Sequence, residues 1–210
     1  MALAARYDGH FMPAVTIRLG AAWAALNGGG VGVLGAVDVM PGSARDGQTC
    51  PLGETCVRPV LHLGAGDVPY ARETVLVGPG TQRVSEGTVS GDLGLLEVGG
   101  GVTVVPAGTG DALRFSLMAA GVLGFRGEET LPTLRAPLSQ ATARFGASTE
   151  LLGVYRIVGP LGVHLGARLQ WFPGFADVGR RFSFLGDATR TGESASLLQV
   201  VVQAGLGVEL

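Results

Sequence analysis

Apolar and polar positions alternate over the whole last segment of the chain. Leu198, Val200, Val202, Ala204, Leu206, Val208 and Leu210 fall at one parity, and Gln199, Val201, Gln203, Gly205, Gly207 and Glu209 at the other. Successive side chains of a strand point to opposite faces, so the pattern predicts a long strand with one apolar face and one polar or small face. The pattern recurs. Leu113, Phe115, Leu117, Ala119, Leu123 and Phe125 alternate with Arg114, Ser116, Met118, Ala120 and Gly124. Leu161, Val163, Leu165, Ala167, Leu169 and Trp171 alternate with Gly162, His164, Gly166, Arg168 and Gln170. Ala141, Ala143, Phe145, Leu151 and Tyr155 oppose Gln140, Arg144, Glu150 and Arg156, and Val15, Ile17, Leu19, Ala21 and Trp23 oppose Thr16, Arg18, Gly20 and Ala22. Shorter versions lie at Val31–Val39, Val57–Ala65 and Leu96–Val104, with an ambiguous one at Tyr70–Gly78. Helices are disfavoured because Gly recurs every few residues, at about 1 kcal/mol per interior Gly. The single helix-tolerant stretch is Ser139–Arg144.

Two architectures place an apolar face opposite a polar one. In a soluble sandwich, or a lipocalin-like barrel with an apolar ligand inside, the apolar face is the core and the other face meets water. That second face should then be rich in Lys, Glu, Thr and Asp. Here it is mostly Gly, Ala and Ser, broken by single Arg, Glu, His or Gln residues. Such a face suits a cramped interior in which a few ionic groups pair, with the apolar face turned to hydrocarbon. The links support this. Short ones lie at Asn27–Gly30, Gly66–Pro69, Pro106–Asp111 and Val158–Pro160, and long ones at Pro41–Cys56, Pro79–Gly91, Arg126–Leu138 and Pro173–Ala195. They alternate along the chain, as when turns sit at one end of a barrel and loops at the other.

Composition narrows the classes. With 210 residues there is room for one domain, 1–210. Apolar residues make up 47% and charged residues 15%, which excludes a disordered chain. No apolar run is long enough for a spanning helix, which needs about 18 residues. The net charge of −2 argues against a nucleic-acid partner. All the basic residues are Arg, which we attribute to codon bias. Met1–Arg6 lacks the charged start and apolar segment of a leader, and Ala2-Leu3-Ala4 has only the small-x-small form of a cleavage remnant.

With these segments in hand, the chain from Ala14 to Leu210 resembles the small bacterial outer-membrane β-barrels, in pattern and without a signature motif. The resemblance implies an antiparallel up-and-down transmembrane barrel in the bacterial outer membrane, in contact with its lipid. It also implies that Gln199–Leu210 is presented to the barrel-assembly machinery, although Leu210 stands where the family ends in an aromatic residue. Trp23, Phe125, Tyr155, Trp171 and Phe172 would form the interfacial girdles. Nine segments are visible and an even number is expected. Residues 2–7 as an extra strand make ten, the count we expect; one bent strand over Val57–Val77 makes eight.

The residues expected to face lipid are Leu113, Phe115, Leu117, Leu165, Leu169, Trp171, Val200, Val202, Leu206, Val208 and Leu210. Those expected to line the lumen are Arg18, Asp38, His62, Glu97, Arg114, Arg144, Glu150, Arg156, His164, Arg168 and Glu209. They form either a network that neutralises buried charge or the wall of an anion-preferring narrow pore. Cys50 and Cys56 enclose five residues, and the spacing fits no common zinc site, so a disulfide staple in an oxidising compartment is expected. Gly30-Val-Gly32-Val-Leu-Gly35 matches a dinucleotide fingerprint but is followed by strand-like alternation, not a helix, and no cofactor is expected. No nucleophile motif accompanies His10, His62 and His164, so no enzymatic activity is expected. Arg180, Arg181 and Arg190 lie in the last long link, where they could contact lipopolysaccharide phosphates or a protein partner in the envelope.

Overall fold

The computed structural model describes residues 14–25, 30–41, 54–77, 83–109, 112–126, 130–131, 136–137, 142–173, 181–182, 188–190 and 196–210. Among these, eight long strands run β1 (Ala14–Ala24), β2 (Val31–Met40), β3 (Cys56–Val77), β4 (Arg83–Val105), β5 (Leu113–Arg126), β6 (Thr142–Val158), β7 (Leu161–Phe172) and β8 (Leu197–Glu209). Each pairs antiparallel with its sequence neighbours. The first then pairs with the last, from Thr16↔Glu209 to Ala24↔Val201. The sheet is therefore a closed, all-β antiparallel barrel, in which every long strand has two partners and no edge is left along its wall.

The count is eight, not ten. Val57–Ala65 and Tyr70–Gly78 fall largely within one strand, β3, and Gly66–Pro69, expected as a turn, is paired in mid-strand with Leu95, Gly94, Leu93 and Asp92. The turn-like composition has another cause. A Cβ on Gly66 would sit 2.3 Å from the Val33 carbonyl oxygen, so Gly there permits close approach of β2. Pro69 lies past Asp67, the last residue of β3 paired to β2, where a missing N–H breaks no ladder on that side. Likewise β4 begins at Arg83, so most of the expected Pro79–Gly91 link is strand. Residues 2–7, proposed as an extra strand, lie outside the described residues.

This topology also changes the sorting of the links. One end of the barrel carries 25–30, 127–141, 173–196 and the far parts of β3 and β4. The other carries 41–55, 106–112, Gly159–Pro160 and chain positions 14 and 210. The short link 25–30 thus shares an end with the longest ones, and 41–55 lies with the short turns, contrary to the simple alternation expected.

Beyond the pairs Val33↔Asp67 and Leu93↔Arg126, β3 and β4 leave the wall and continue as a two-stranded arm, paired through Val77↔Arg83. Two small additions touch it. Ala188–Arg190 sets Thr189 and Arg190 opposite Val77 and Leu76, and Thr130 pairs with Ser90.

Burial follows parity. Along β7 every residue alternates between exposed and buried. The exposed face of the barrel is apolar, with Leu165 64%, Val98 67% and Phe145 78% exposed. The buried face carries the charges. The soluble-sandwich and lipocalin-like alternatives require these faces reversed, and the structure has them the other way. Phe172, expected in a girdle, is instead completely buried in the interior. Thr142–Arg144, expected to be helix-tolerant, belongs to β6.

Candidate functional site in the barrel lumen

An eight-stranded barrel has an interior just wide enough for side chains to fill. Here the filling is layered. Towards the end that carries the arm, Ala22, Ala24, Leu34, Val68, Tyr70, Leu93, Leu95, Val122, Phe172, Leu197 and Val201 form one apolar cluster. Towards the other end, Ala14, Met40, Val60, Met118, Leu152 and Val154 form a second. Between them lies an ionic layer contributed by six strands.

That layer is a continuous chain of contacts. Arg18 on β1 donates through Nε to Asp38 at 2.5 Å and through Nη1 to Glu150 at 2.9 Å. His62 on β3 places Nδ1 2.7 Å from the same Asp38, and its Nε2 lies 3.6 Å from Glu97 on β4. Arg168 on β7 donates to Glu97 through Nη1 and to Glu150 at 2.7 Å through Nη2. Gln170 donates to Glu97 at 3.3 Å, and Gln203 on β8 donates to Glu150. Glu150 thus receives both guanidiniums, and each guanidinium bridges two carboxylates. Arg18, Asp38, His62, Glu97, Glu150 and Arg168 are all buried.

The register creates this meeting. Asp38 sits opposite both Thr16 and His62, and Glu150 sits opposite Arg168. Space for the carboxylate comes from Gly64. A Cβ there would stand 2.8 Å from Glu97 Oε2 and 3.0 Å from His62 Nε2. His164 is buried, with its ring against Gly20 and Gly205.

A second, smaller group lies at the end away from the arm. Arg114 and Arg156 donate to the same oxygen of Glu209, at 2.9 and 2.8 Å. Arg114 is buried, while the Arg156 side chain is 34% exposed. With Thr16 and Pro160 they line a niche of about 10 Å³, the size of one water molecule. Arg144 is half-buried on β6, where its Nη1 donates to the Ala143 carbonyl.

Of the residues expected to face outward, Phe115, Leu117, Leu165, Leu169, Trp171, Val202, Leu206, Val208 and Leu210 are exposed, and Leu113 and Val200 are half-buried. Cys56 opens β3 at the end holding positions 14 and 210, whereas Cys50 and His10 lie outside the described residues. Arg180 also lies outside them. Arg181 and Arg190 fall in short strands, Arg190 opposite Leu76.

Several interior residues escaped the sequence reading. Arg126 is fully buried, though it was taken as the start of a link. Extending the β5 alternation by one residue would have placed it inside. Tyr70 and Phe172 were masked by flanking prolines. Gln170, Gln199 and Gln203 did not escape it: they were read on the inward face, in a lumen filled by Arg, Glu and Gln contacts, and all three are buried.

Among the described residues, the contacts of this layer are ion pairs and hydrogen bonds between charged and amide side chains. His62 and Asp38 form a His–carboxylate pair, yet among the described residues no hydroxyl or thiol bonds to His62. Nor does any group of three ligand-type side chains among them have the geometry to hold a metal ion.

No protein-family model and no curated protein matches the sequence. Solved structures similar in fold include the following two. One is Ail, the attachment invasion locus protein of Yersinia pestis, crystallised with the heparin analogue sucrose octasulfate. It has a TM-score of 0.44 at 7% identity, over 96% of this chain and 99% of that one. The other is Neisserial surface protein A, with a TM-score of 0.41 at 13% identity, over 94% of this chain and 97% of that one.

Proposed function

We propose that this protein is an integral barrel of the bacterial outer membrane whose lumen is sealed, serving as a membrane-held scaffold and not as a pore or an enzyme. The observation that carries this is the three-layer interior, in which an ionic layer with shared partners lies between two apolar clusters. The side chains that fill the interior, polar and apolar alike, are buried at every level, as expected of an eight-stranded bore with little room for a conducting path. The exposed belt of Leu, Val, Phe and Trp supports lipid contact, because strands of 9–11 tilted residues cross a bilayer and a closed barrel satisfies its own backbone. Trp23, Phe125, Phe145 and Trp171 are exposed near the arm end, and Phe115 and Tyr155 near the other, which suits two interfacial girdles.

The arm and the links 127–141 and 173–196 make the arm end the external one, since external loops are the longer. The link holding Cys50 then faces the periplasm, an oxidising compartment suited to a Cys50–Cys56 staple. Arg180, Arg181 and Arg190 would lie at lipopolysaccharide level, and β8 would be the strand offered to the assembly machinery.

The test is reconstitution. Refolded protein should require detergent, migrate differently in gels before and after heating, and give no current steps in a planar bilayer. Steady ohmic steps from the unaltered protein would overturn the sealed lumen. A monodisperse species without detergent would overturn the membrane placement.

A further inference from the structure

The small group at the end away from the arm carries more positive charge than its partners offset. Arg114 on β5 and Arg156 on β6 both donate to Oε2 of Glu209, and Glu209 is their only ion-pair partner among the described residues. Two guanidiniums, which stay charged in proteins, thus share one carboxylate. Arg18, whose stem lies beside Gly207, adds no surplus, because Asp38 and Glu150 hold it within the ionic layer. Arg114 is buried, so water does little to disperse its charge, and an uncompensated buried charge is costly.

The same place has hydrogen-bond donors to spare. Thr16 is buried, and its Oγ1 has no hydrogen-bond partner. Arg156 has a buried Nε–H that is also unpartnered. Both residues line the niche, together with Arg114, Glu209, Gly162 and Gly207. The register brings them there: Thr16 stands opposite Glu209, Arg156 opposite Gly162, and Gly162 opposite Gly207. Gly207 leaves the room, since a Cβ there would come no nearer than 3.5 Å to its neighbours. The niche, about 10 Å³, admits one small occupant. Unused N–H and O–H donors, a surplus positive charge and little space are the surroundings of a small anion. A halide ion is only slightly larger than water, whereas phosphate and sulfate do not fit.

We propose that Arg114, Arg156 and Thr16 hold a monovalent halide ion, chloride under ordinary conditions, as a structural ion of this mouth of the barrel. The ion completes the neutralisation of the two arginines. It also ties β1 to β5 and β6, with which β1 shares no ladder. Arg156 is partly exposed, so the ion can exchange with solvent. The site stands whichever compartment this end faces and whether or not the lumen conducts.

The probe is chloride itself. The refolded, detergent-held barrel is titrated with sodium chloride in place of sodium gluconate at constant ionic strength, so that screening of surface charge does not change. The chlorine resonance should broaden saturably, and bromide should reverse the broadening while phosphate should not. At chloride about ten times its dissociation constant, the unfolding equilibrium constant in urea should fall about tenfold. Three variants bear on the site, each checked for heat-dependent migration. Gly207→Ala puts a methyl group into the niche without a backbone clash and should abolish both chloride effects. Thr16→Val removes the hydroxyl at nearly the same shape and should weaken chloride several-fold. Glu209→Gln removes the competing negative charge and should tighten chloride, to which a niche holding only water would not respond. Broadening that survives Gly207→Ala, or that phosphate reverses, comes from arginines on the surface and overturns the site. A urea midpoint indifferent to chloride, in a barrel that keeps its heat-dependent migration, overturns it as well and leaves the membrane scaffold standing. If Glu209→Gln fails to fold, Gly207→Ala and Thr16→Val still decide. Loss of heat-dependent migration in the unaltered protein would count against the scaffold reading instead.

Discussion

Arg168→Met, read in a double-mutant cycle with Glu97→Gln, tests whether the interior is as dry as its packing implies. Arg168 is buried and holds two carboxylates, Glu97 and Glu150. Without it, Glu150 retains Arg18 and Gln203, but Glu97 keeps only Gln170 at 3.3 Å and His62 at 3.6 Å. Removing one partner of a buried ion pair leaves an uncompensated charge and costs about 3–5 kcal/mol. Glu97→Gln in the Arg168→Met background removes that stranded charge while keeping nearly the same volume. The double variant should therefore be more stable than Arg168→Met alone, with a coupling energy of about 2–3 kcal/mol, within the range seen for directly contacting residues. The assay is reversible urea unfolding in phospholipid vesicles, followed by tryptophan fluorescence, with Trp23 and Trp171 exposed on the outer face. If the two single effects simply add, or if Arg168→Met costs less than about 1 kcal/mol, as for solvated pairs, the ionic layer is wet and the sealed-lumen argument fails.

Three further outcomes follow from other layers. Leu151→Arg, on the exposed face beside Glu150, should destabilise the vesicle-inserted barrel by about 2–4 kcal/mol, as at the bilayer midplane; an effect within about 0.5 kcal/mol, normal for a water-facing site, would place that face in water. Phe172→Ala should cost about 3–5 kcal/mol by opening a cavity in the arm-end cluster, measured in the same urea assay; a near-neutral result would mean that the ring is not packed as described. Gly64→Val should displace the Glu97 carboxylate and cost about 1–3 kcal/mol through overpacking, whereas an unchanged urea midpoint would show that the lumen has room to spare.

Much of this was legible because a closed barrel with two unlike faces leaves its mark at every second residue. The inward positions of Arg18, His62, Glu97, Glu150 and Arg168 follow from parity alone, with no need to know which strand neighbours which. What parity cannot supply is register. Nothing in the sequence says that Asp38 stands opposite His62, or that Arg168 reaches both Glu97 and Glu150, since those meetings depend on the stagger of the closed sheet. Strand length was misread for a local reason. Gly66, Asp67 and Pro69 have turn chemistry, but the backbone uses Gly66 for close packing and tolerates Pro69 beyond the last pair with β2. The apolar layers were overlooked because Val68 fell in the expected turn Gly66–Pro69 and Leu93 and Leu95 lay just before the segment Leu96–Val104. In a barrel of this width, an inward Leu is filler rather than an interruption of the pattern.

The seam between Thr16 and Glu209 ties the two ends of the described chain into one ladder. During synthesis the first strand must wait for the last, so no prefix of the chain can make a smaller version of the same object. A ribosome that stops before Leu197 yields a product lacking both the closing strand and Gln203, which bonds to Glu150. Truncated copies should therefore be discarded whole by quality-control proteases, so that the cell's population of this protein consists of finished cylinders or none.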